Sequence, residues 1–182
     1  MIDPTLARTI RLLVLDVDGV LTDNAIYLGL VAGERVELKR FDIQDGLGLG
    51  LLRGSSIEVA WLSGRVSEAT TLRARELKIA TVIQDSAARK LPALTQMVSE
   101  RGLTLDQVAF VGDDLADLPA MERVGLPIAV ANAVPEIAAV AQWVTTRPGG
   151  QGAVREVVEA LLRSRGEWDQ ALARYRADRE MA

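Results

Sequence analysis

The sequence predicts an α/β fold built on a doubly wound parallel sheet, with a small β-hairpin flap and no cap domain. From residue 57 onward, short apolar runs alternate with helical patterns, as expected for parallel strands joined by right-handed crossovers. The earlier apolar run Leu12–Leu15 has the composition of a strand buried on both faces, and it leads into Asp16 and Asp18. Because ionised carboxylates are costly to bury, these acids are expected at the carboxyl edge of the sheet, where α/β proteins bind ligands.

The predicted elements follow in order along the chain. Residues 1–10 form a partly helical lead-in to the first strand. Two short runs at 25–28 and 35–38 predict a β-hairpin with a longish turn over 29–34. Leucines at helical spacing over 45–52 predict a helix that its glycines weaken. The later strands are predicted at 57–62, 81–83, 108–111, 126–130 and 143–145, and the later helices at 66–77, 87–101, 115–124, 135–141 and 152–165.

The chain is interpreted as a single domain over residues 1–165, with the hairpin at about 25–38 as a flap, followed by a C-terminal tail over 166–182. The tail is largely polar, which favours a frayed terminus. Trp168 and Tyr175 favour instead an amphipathic helix that docks on another surface, since aromatic residues are scarce in disordered tails. Both interpretations stay open at this point.

Composition excludes several classes of function. The chain has no cysteine and no histidine, which removes disulfides, thiolate nucleophiles, Ser-His-Asp and phosphohistidine chemistry, and His-bound zinc. The net charge of -4, without a block of like charge, argues against nucleic acid as a partner. The first residues lack a signal-peptide pattern and no apolar stretch is long enough to span a bilayer, so a cytoplasmic protein without a membrane partner is expected.

Four polar motifs each stand at the end of a predicted strand or the start of the next helix. They are Asp16 and Asp18 before Gly19, the triplet Ser63-Gly64-Arg65, the residue Lys90, and the acids Asp113, Asp114 and Asp117. Alone, each has an ordinary interpretation as turn aspartates, a serine N-cap, a surface lysine or an aspartate N-cap. Together they give an all-oxygen ligand set of the kind that suits Mg²⁺, beside a hydroxyl and a helix N-terminus that suit a phosphate.

In this order, the four motifs resemble those of the haloacid dehalogenase superfamily of phosphotransferases, which is built on a Rossmann-like sheet. The resemblance implies that Asp16 is the nucleophile and Asp18 the general acid and base. It also implies that Ser63 and Lys90 hold the phosphoryl oxygens, although Arg89 competes with Lys90 for this role.

The same resemblance implies a metal site. Mg²⁺ is expected on Asp16, on the backbone carbonyl of Asp18 and on Asp113. Asp114 and Asp117 are expected to act behind these ligands or through water.

Three further stretches, 41–48, 112–122 and 147–156, look like the capless 3-deoxy-D-manno-octulosonate 8-phosphate phosphatases, and the resemblance extends from about Leu12 to Asp169. It implies a sugar-acid phosphate substrate, a place in lipopolysaccharide biosynthesis and a homotetramer. In that family the hairpin lies against a neighbour's active site, and the tail, here with Trp168, is expected to cover the entrance. The expected substrate-binding residues are Asp18, Asp42, Gln44, Asp45, Gly46, Gly64, Arg65 and Arg73.

Two alternatives remain at this stage. Gln44 and Gly50 stand where basic residues are often found, so a related nononate or neuraminate-type sugar phosphate is a possible substrate. A phospho-receiver signalling domain also combines clustered acids, a hydroxyl and a lysine on a parallel sheet. Its phosphorylated aspartate ends a middle strand, whereas Leu62-Ser63 offers no aspartate there and Lys90 precedes the second acid cluster, so this alternative is disfavoured.

Overall fold

Six parallel strands form the central sheet of the computed structural model, which describes residues 2–180. In chain order the strands are β1 (Leu12–Leu15), β2 (Tyr27–Val31), β3 (Glu34–Leu38), β4 (Glu58–Ser63), β5 (Thr81–Gln84), β6 (Val108–Gly112), β7 (Leu126–Ala129) and β8 (Trp143–Val144). The order across the sheet is β5-β4-β1-β6-β7-β8, while β2 and β3 pair separately. Within this sheet, β4 and β5 are therefore added on one side of β1, and β6, β7 and β8 are then added on the other side. Open α/β sheets bind ligands at such a reversal.

Helices cover both faces of this sheet. They are α1 (Pro4–Thr9), α2 (Ile43–Leu51), α3 (Glu68–Glu76), α4 (Lys90–Glu100), α5 (Leu118–Met121), α6 (Pro135–Val140), α7 (Ala153–Arg165) and α8 (Trp168–Glu180). Along β1, Leu13 and Leu15 face a core that includes α2 and α7, while Leu12 and Val14 face a core that includes α4, α5 and α6. Alternate residues of one strand thus enter two cores, which confirms the doubly wound fold.

The hairpin flap has longer strands and a tighter turn than the sequence predicted. Tyr27 pairs with Leu38 and Val31 with Glu34, so that only Ala32-Gly33 remains as the turn. Both turn residues have positive φ, 52° and 87°, as a two-residue hairpin turn of type I′ requires. The predicted turn over 29–34 is therefore wrong. β2 leaves its large apolar side chains exposed, namely Tyr27, Leu28, Leu30 and Val31.

Two helices are shorter than the sequence predicted. The helix predicted over 87–101 begins only at Lys90, because Ala88 has a left-handed φ of 53° that a helix cannot contain. The helix predicted over 115–124 is reduced to α5, because the carboxylate of Asp117 accepts the backbone N–H of Asp113 at 3.0 Å and closes a turn first.

The C-terminal segment folds onto its own chain. α8 packs on α7 and α2, Ala171 is buried, and the ring of Trp168 lies 4.2 Å from the guanidinium carbon of Arg163. The frayed-terminus interpretation is therefore wrong for residues 168–180, while residues 181 and 182 lie outside the described range. No helix between residues 2 and 180 combines the length and apolar character that crossing a membrane would require.

Trp168 does not cover the carboxyl edge of β1 within this chain. Arg165, at the end of α7, donates hydrogen bonds to the carbonyls of Ala7 and Ile10, at 2.8 and 3.2 Å. These carbonyls precede β1, whereas Asp16 follows it, so α7 ends at the opposite edge of the sheet from Asp16. Trp168 follows Arg165 closely and so lies away from Asp16 of its own chain, and the closure of the tail over a neighbouring subunit's active site stays a prediction.

Candidate active site

The loop after β1 carries the first pair of acids. The backbone N–H of Asp16 still bonds to Val111 of β6 at 3.0 Å, after which Leu21 and Thr22 donate their N–H groups to the carbonyl of Val17 at 3.0 Å each. Gly19 allows this tight loop, because its φ is 92° and a Cβ there would overlap the carboxylate of Asp113. The loop is thus folded directly against the second acid cluster.

Lys90 is held between two carboxylates. Its Nζ lies 2.6 Å from Oδ1 of Asp16 and 2.6 Å from Oδ1 of Asp117. The lysine is only 4% exposed, so these ion pairs replace the water that its ammonium group has lost. Arg89, by contrast, is exposed and pairs with Asp85 at 3.5 Å. Of the two cations that the sequence offered, Lys90 is the one that reaches the acids.

Three buried acids converge at the head of the sheet. Asp16, Asp113 and Asp117 each offer a carboxylate oxygen, and these oxygens lie within 4.8 Å of one another. Burial, followed by the negative charge of Asp117, raises the pKa of Asp113 to about 7. The same two causes raise the pKa of Asp16 well above its ordinary value, although Lys90 opposes them.

This cluster fits a hard divalent cation. Oδ1 of Asp113 is buried and has no hydrogen-bond partner among residues 2–180. A cation such as Mg²⁺ would bind that oxygen and stabilise the ionised forms of Asp16 and Asp113, whose pKa values burial and the charge of Asp117 raise. Asp117 is occupied differently, since it accepts from Lys90 and from the backbone of Asp113. Asp114 stays at the rim, where its carboxylate accepts the N–H of Leu115 at 2.7 Å.

The side chain of Asp18 faces the flap. Its Oδ1 lies 2.7 Å from Nζ of Lys39, and its Oδ2 lies 3.9 Å from Nε of Arg65. Arg65 also pairs with Glu37 of β3 at 3.1 Å. The flap therefore contacts the acidic centre through charged side chains, although its outer surface is apolar.

Ser63 ends β4, the neighbour of β1, and is buried. Its hydroxyl accepts the N–H of Arg65 and donates to the carbonyl of the same residue, at 3.1 Å in each case. Gly64 passes close to Ala88, because a Cβ on Gly64 would lie 3.0 Å from the Cβ of Ala88. This close approach brings the loop after β4 next to the segment that leads into Lys90.

The side chains of Asp42, Gln44 and Asp45, predicted to bind substrate, form hydrogen bonds with other residues of the same chain. Asp42 caps α2 and accepts the N–H of Gln44 at 2.6 Å. Gln44 accepts in turn from Arg147 at 3.2 Å, and it lines a cavity of about 920 Å³ between α2 and α7 that contains none of the acids described above. Asp45 is buried, and its Oδ1 accepts the N–H of Arg155 at 2.7 Å. The side chain of Asp45 thus ties α2 to the N-terminus of α7, and its contact with substrate stays a prediction.

Arg73 and Gly46 form a second contact between α2 and α3. Arg73 donates to the carbonyl of Asp42 at 3.2 Å and pairs with Glu76 at 2.8 Å. Gly46 makes room for this arginine, because a Cβ there would clash with its guanidinium group. Arg73 keeps one buried donor, Nε, without a partner among residues 2–180. Its role toward a substrate stays a prediction.

Sequence reasoning missed two residues. Lys39 was not singled out, although alternation along β3 places it on the same face as Glu37. Asn132 links two loops, since its amide donates to the carbonyl of Gly19 at 3.3 Å and accepts the N–H of Gly149 at 2.7 Å. Next to it, the N–H of Gly150 bonds to the carbonyl of Val20 at 3.0 Å. An isolated asparagine after β7 carries no sequence signal of this kind.

Comparison with known proteins identifies the family. Residues 64–157 match the family model of haloacid dehalogenase-like hydrolases. A protein of Salmonella typhi named 3-deoxy-D-manno-octulosonate 8-phosphate phosphatase KdsC is 44% identical over 167 residues, which cover 92% of this chain and 87% of the relative. The chain belongs to the haloacid dehalogenase-like hydrolases, in the family of these phosphatases. For this hydrolase, the relative of the same name in Escherichia coli K12 is also 44% identical, over 91% of the chain and 86% of the relative.

Solved structures agree with this assignment. The 3-deoxy-D-manno-octulosonate 8-phosphate phosphatase of Moraxella catarrhalis, crystallised with a magnesium ion, a phosphate ion and a KDO molecule, superimposes on the hydrolase with a TM-score of 0.88. It is 40% identical, over 94% of this chain and 97% of that one. The cobalt-bound phosphatase of Haemophilus influenzae gives a TM-score of 0.80 at 35% identity, over 88% and 92% of the two chains. The capless α/β fold is thus shared with these enzymes.

Proposed function

We propose that this hydrolase removes the phosphate from a sugar-acid monoester, 3-deoxy-D-manno-octulosonate 8-phosphate, in a reaction that depends on Mg²⁺. The observation that carries the proposal is the carboxylate of Asp16, held at 2.6 Å by Lys90 at the carboxyl end of β1 and flanked by Asp113. The identity to phosphatases of that name, 44% over nine-tenths of the chain, supports the substrate. This substrate would place the enzyme in lipopolysaccharide biosynthesis.

The reaction begins at Asp16. Lys90 binds Oδ1, so Oδ2 is the oxygen that attacks the phosphorus. A bond forms between this oxygen and phosphorus while the bond to the sugar oxygen breaks, and Asp18 gives the leaving oxygen a proton. Asp18 then takes a proton from a water molecule, whose oxygen attacks phosphorus and releases Asp16 from the aspartyl-phosphate. Ser63 and Lys90 would hold the remaining phosphoryl oxygens.

The metal would be held by the carboxylates of Asp16 and Asp113 and by the backbone carbonyl of Asp18. When bound, Mg²⁺ offsets negative charge on the transferring phosphoryl group. Asp117 supports this arrangement, because it is the second carboxylate on Lys90 and accepts the backbone N–H of Asp113. Asp114 adds negative charge at the rim.

Arg65 is proposed to recognise the carboxylate of the sugar acid. It is the partly exposed cation nearest to Asp18 among residues 2–180, and the fork of a guanidinium group matches a carboxylate. The guanidinium group of Arg65 pairs with Glu37, which a substrate carboxylate would displace. The geometry of Arg65 suits nononate and neuraminate-type acids equally well, so those phosphates are the alternative substrates.

The substrate is tested with purified enzyme and a panel of sugar phosphates. Phosphate release is expected to be fastest with 3-deoxy-D-manno-octulosonate 8-phosphate, ahead of nononate and neuraminate 9-phosphates. Activity should disappear after chelation, return with Mg²⁺ and be inhibited by Ca²⁺, whose looser coordination misplaces the phosphoryl group. Full activity after exhaustive chelation would contradict the mechanism, and absence of steady turnover on any ester would favour a receiver domain.

A homotetramer is proposed for the working enzyme. Residues 2–180 form no cap domain to exclude water, and β2 exposes four large apolar side chains of the kind that mark protein contacts. Leu30, which is 75% exposed on β2, provides the test. Leu30→Glu is expected to dissociate the assembly in analytical ultracentrifugation and to lower activity. A wild-type chain that is monomeric and fully active at nanomolar concentration would refute the proposal.

A further inference from the structure

The side chain of Lys39 is buried at the foot of a largely exposed flap. It directly follows β3, and its side chain is 0% exposed. Its Nζ lies 2.7 Å from Oδ1 of Asp18 and 3.9 Å from Glu37, and it donates to the hydroxyl of Thr70 at 3.4 Å. The ammonium group is thus enclosed by two carboxylates and one hydroxyl.

Such a position is costly for a lysine. An ammonium group loses its hydration when it is buried, and a long flexible side chain loses rotamer freedom as well. Lysines near the end of a surface hairpin ordinarily keep the charged group in water. Lys39 instead points inward to the one carboxylate that is expected to transfer protons. Its position therefore indicates a role at Asp18 rather than on the flap.

The contact makes the two oxygens of Asp18 unequal. Oδ1 faces Lys39, whereas Oδ2 faces Arg65 at 3.9 Å. Neither oxygen has a hydrogen-bond partner among residues 2–180, so Lys39 holds Oδ1 as an ion pair. Oδ2 is therefore the oxygen turned toward the residue proposed to bind the substrate carboxylate.

We propose that Lys39 is a positioning residue for Asp18. By fixing Oδ1 it presents Oδ2 to the leaving oxygen of the ester. The proton on Oδ2 passes to that oxygen, which keeps the electron pair of the breaking phosphorus–oxygen bond, and Oδ2 later takes a proton from the attacking water. This inference rests on the proposed phosphatase function, which it extends to a residue outside the four motifs.

The flap would set the geometry of proton transfer through this contact. Lys39 and Glu37 lie two residues apart, and Glu37 holds Arg65 at 3.1 Å. A displacement of β3 would move the partner of Oδ1 and the partner of Arg65 together. Proton transfer would consequently be efficient only while the flap keeps Lys39 in contact with Asp18 and Glu37 in contact with Arg65.

The test uses two esters that differ in their need for a proton. A sugar phosphate expels a strongly basic alkoxide and depends on the general acid, whereas p-nitrophenyl phosphate expels a weakly basic phenolate and depends on it far less. Lys39→Met keeps the length of the side chain without its charge. The rate of alcohol release in a single turnover, measured by rapid quench before the aspartyl-phosphate is hydrolysed, isolates the step that needs the general acid. This rate is expected to fall at least tenfold with 3-deoxy-D-manno-octulosonate 8-phosphate and less than threefold with p-nitrophenyl phosphate, with KM changing less than threefold. Lys39→Arg, which restores a cation, should recover part of the loss.

Controls separate this role from a structural one. Lys78→Met makes the same substitution at an exposed lysine that follows α3 and should leave the rates with both esters unchanged. Circular dichroism and thermal unfolding establish that each variant is folded, and Lys39→Gln replaces Lys39→Met if the latter does not fold, with the same divergence of the two esters expected. Equal losses with both esters, or no loss with either, would overturn the inference. A wild-type enzyme inactive toward both esters would overturn the proposed function and the inference with it.

Discussion

Replacing Asp45 by asparagine should stabilise the protein in a way that depends on pH. Asp45 is buried, and burial raises its pKa from the ordinary 3.8 to about 6, although the N–H of Arg155 binds the ionised form. The difference corresponds to about 3 kcal/mol at 1.36 kcal/mol per pH unit. This is the free energy by which the ionised carboxylate disfavours the folded state.

The direction of the pH effect follows from proton binding. Between pH 3.8 and about 6 the folded chain binds the proton of Asp45 more tightly than the unfolded chain does. The free energy of unfolding of the wild-type protein therefore falls as the pH rises through this window, because Asp45 ionises. Above the window the full cost of burying the ionised carboxylate is present. Asp45→Asn keeps the acceptor for Arg155 and removes the charge. We expect the variant to be more stable by about 1–3 kcal/mol at pH 8 and equal to wild type at pH 4.

Urea unfolding followed by tryptophan fluorescence measures this difference. Both proteins are compared at the same concentration and with a chelator present, because assembly and metal binding also shift the midpoint. Asp169→Asn, at an exposed position of α8, serves as the control and should change the free energy of unfolding by less than about 0.5 kcal/mol at either pH. An Asp45→Asn variant no more stable than wild type at pH 8, or equally stabilised at both pH values, would refute the reasoning.

Three further predictions concern the site and the C-terminal helix. Lys90→Met removes the cation that holds Asp16, so kcat for phosphate release should fall about 10²- to 10³-fold; an unchanged kcat would mean that Lys90 only stabilises the fold. Asp113→Asn should weaken Mg²⁺ binding at least about tenfold in calorimetric titration, a loss that outer-shell substitutions already produce, and an unaltered affinity would place the metal elsewhere. Deletion after Arg165 removes α8 and the packing of Trp168. The free energy of unfolding should fall by about 2–5 kcal/mol, a value that follows from the apolar side chains that α8 buries. A urea midpoint equal to that of the wild type would contradict this packing.

The sequence predicted the sheet and the acidic centre well because their signals are local. A strand buried on both faces reads as an uninterrupted apolar run, and an acid that follows such a run must lie at the edge of the sheet. Asp16 and Asp113 follow this rule, and they meet because β1 and β6 are neighbours. The assignment of Lys90 over Arg89 was beyond sequence reasoning, since it depends on the left-handed φ of Ala88, which starts the helix at Lys90.

Other features depended on contacts that distant segments make. Asp45 resembled a loop residue ready to bind a ligand, but its partner is the N-terminus of α7, 110 residues later in the chain. Lys39 had the pattern of an exposed strand residue, and only the docking of the flap reveals its contact with Asp18. The tail resembled a polar terminus, yet α8 packs through a few aromatic and small residues. In each case the deciding energy comes from packing between elements, which local propensity does not contain.

The contact between the loop after β1 and the glycine-rich loop at 149–150 has a consequence for biosynthesis. A Cβ on Gly149 would overlap the carbonyl of Gly19, so the two backbones are in direct contact across some 130 residues of chain. A nascent polypeptide that has not yet emerged from the ribosome beyond residue 150 lacks this support for the nucleophile loop. Bringing segments so far apart together costs loop-closure entropy, and the contact cannot form before both segments are available. A growing chain should therefore acquire phosphatase activity only near the end of its synthesis.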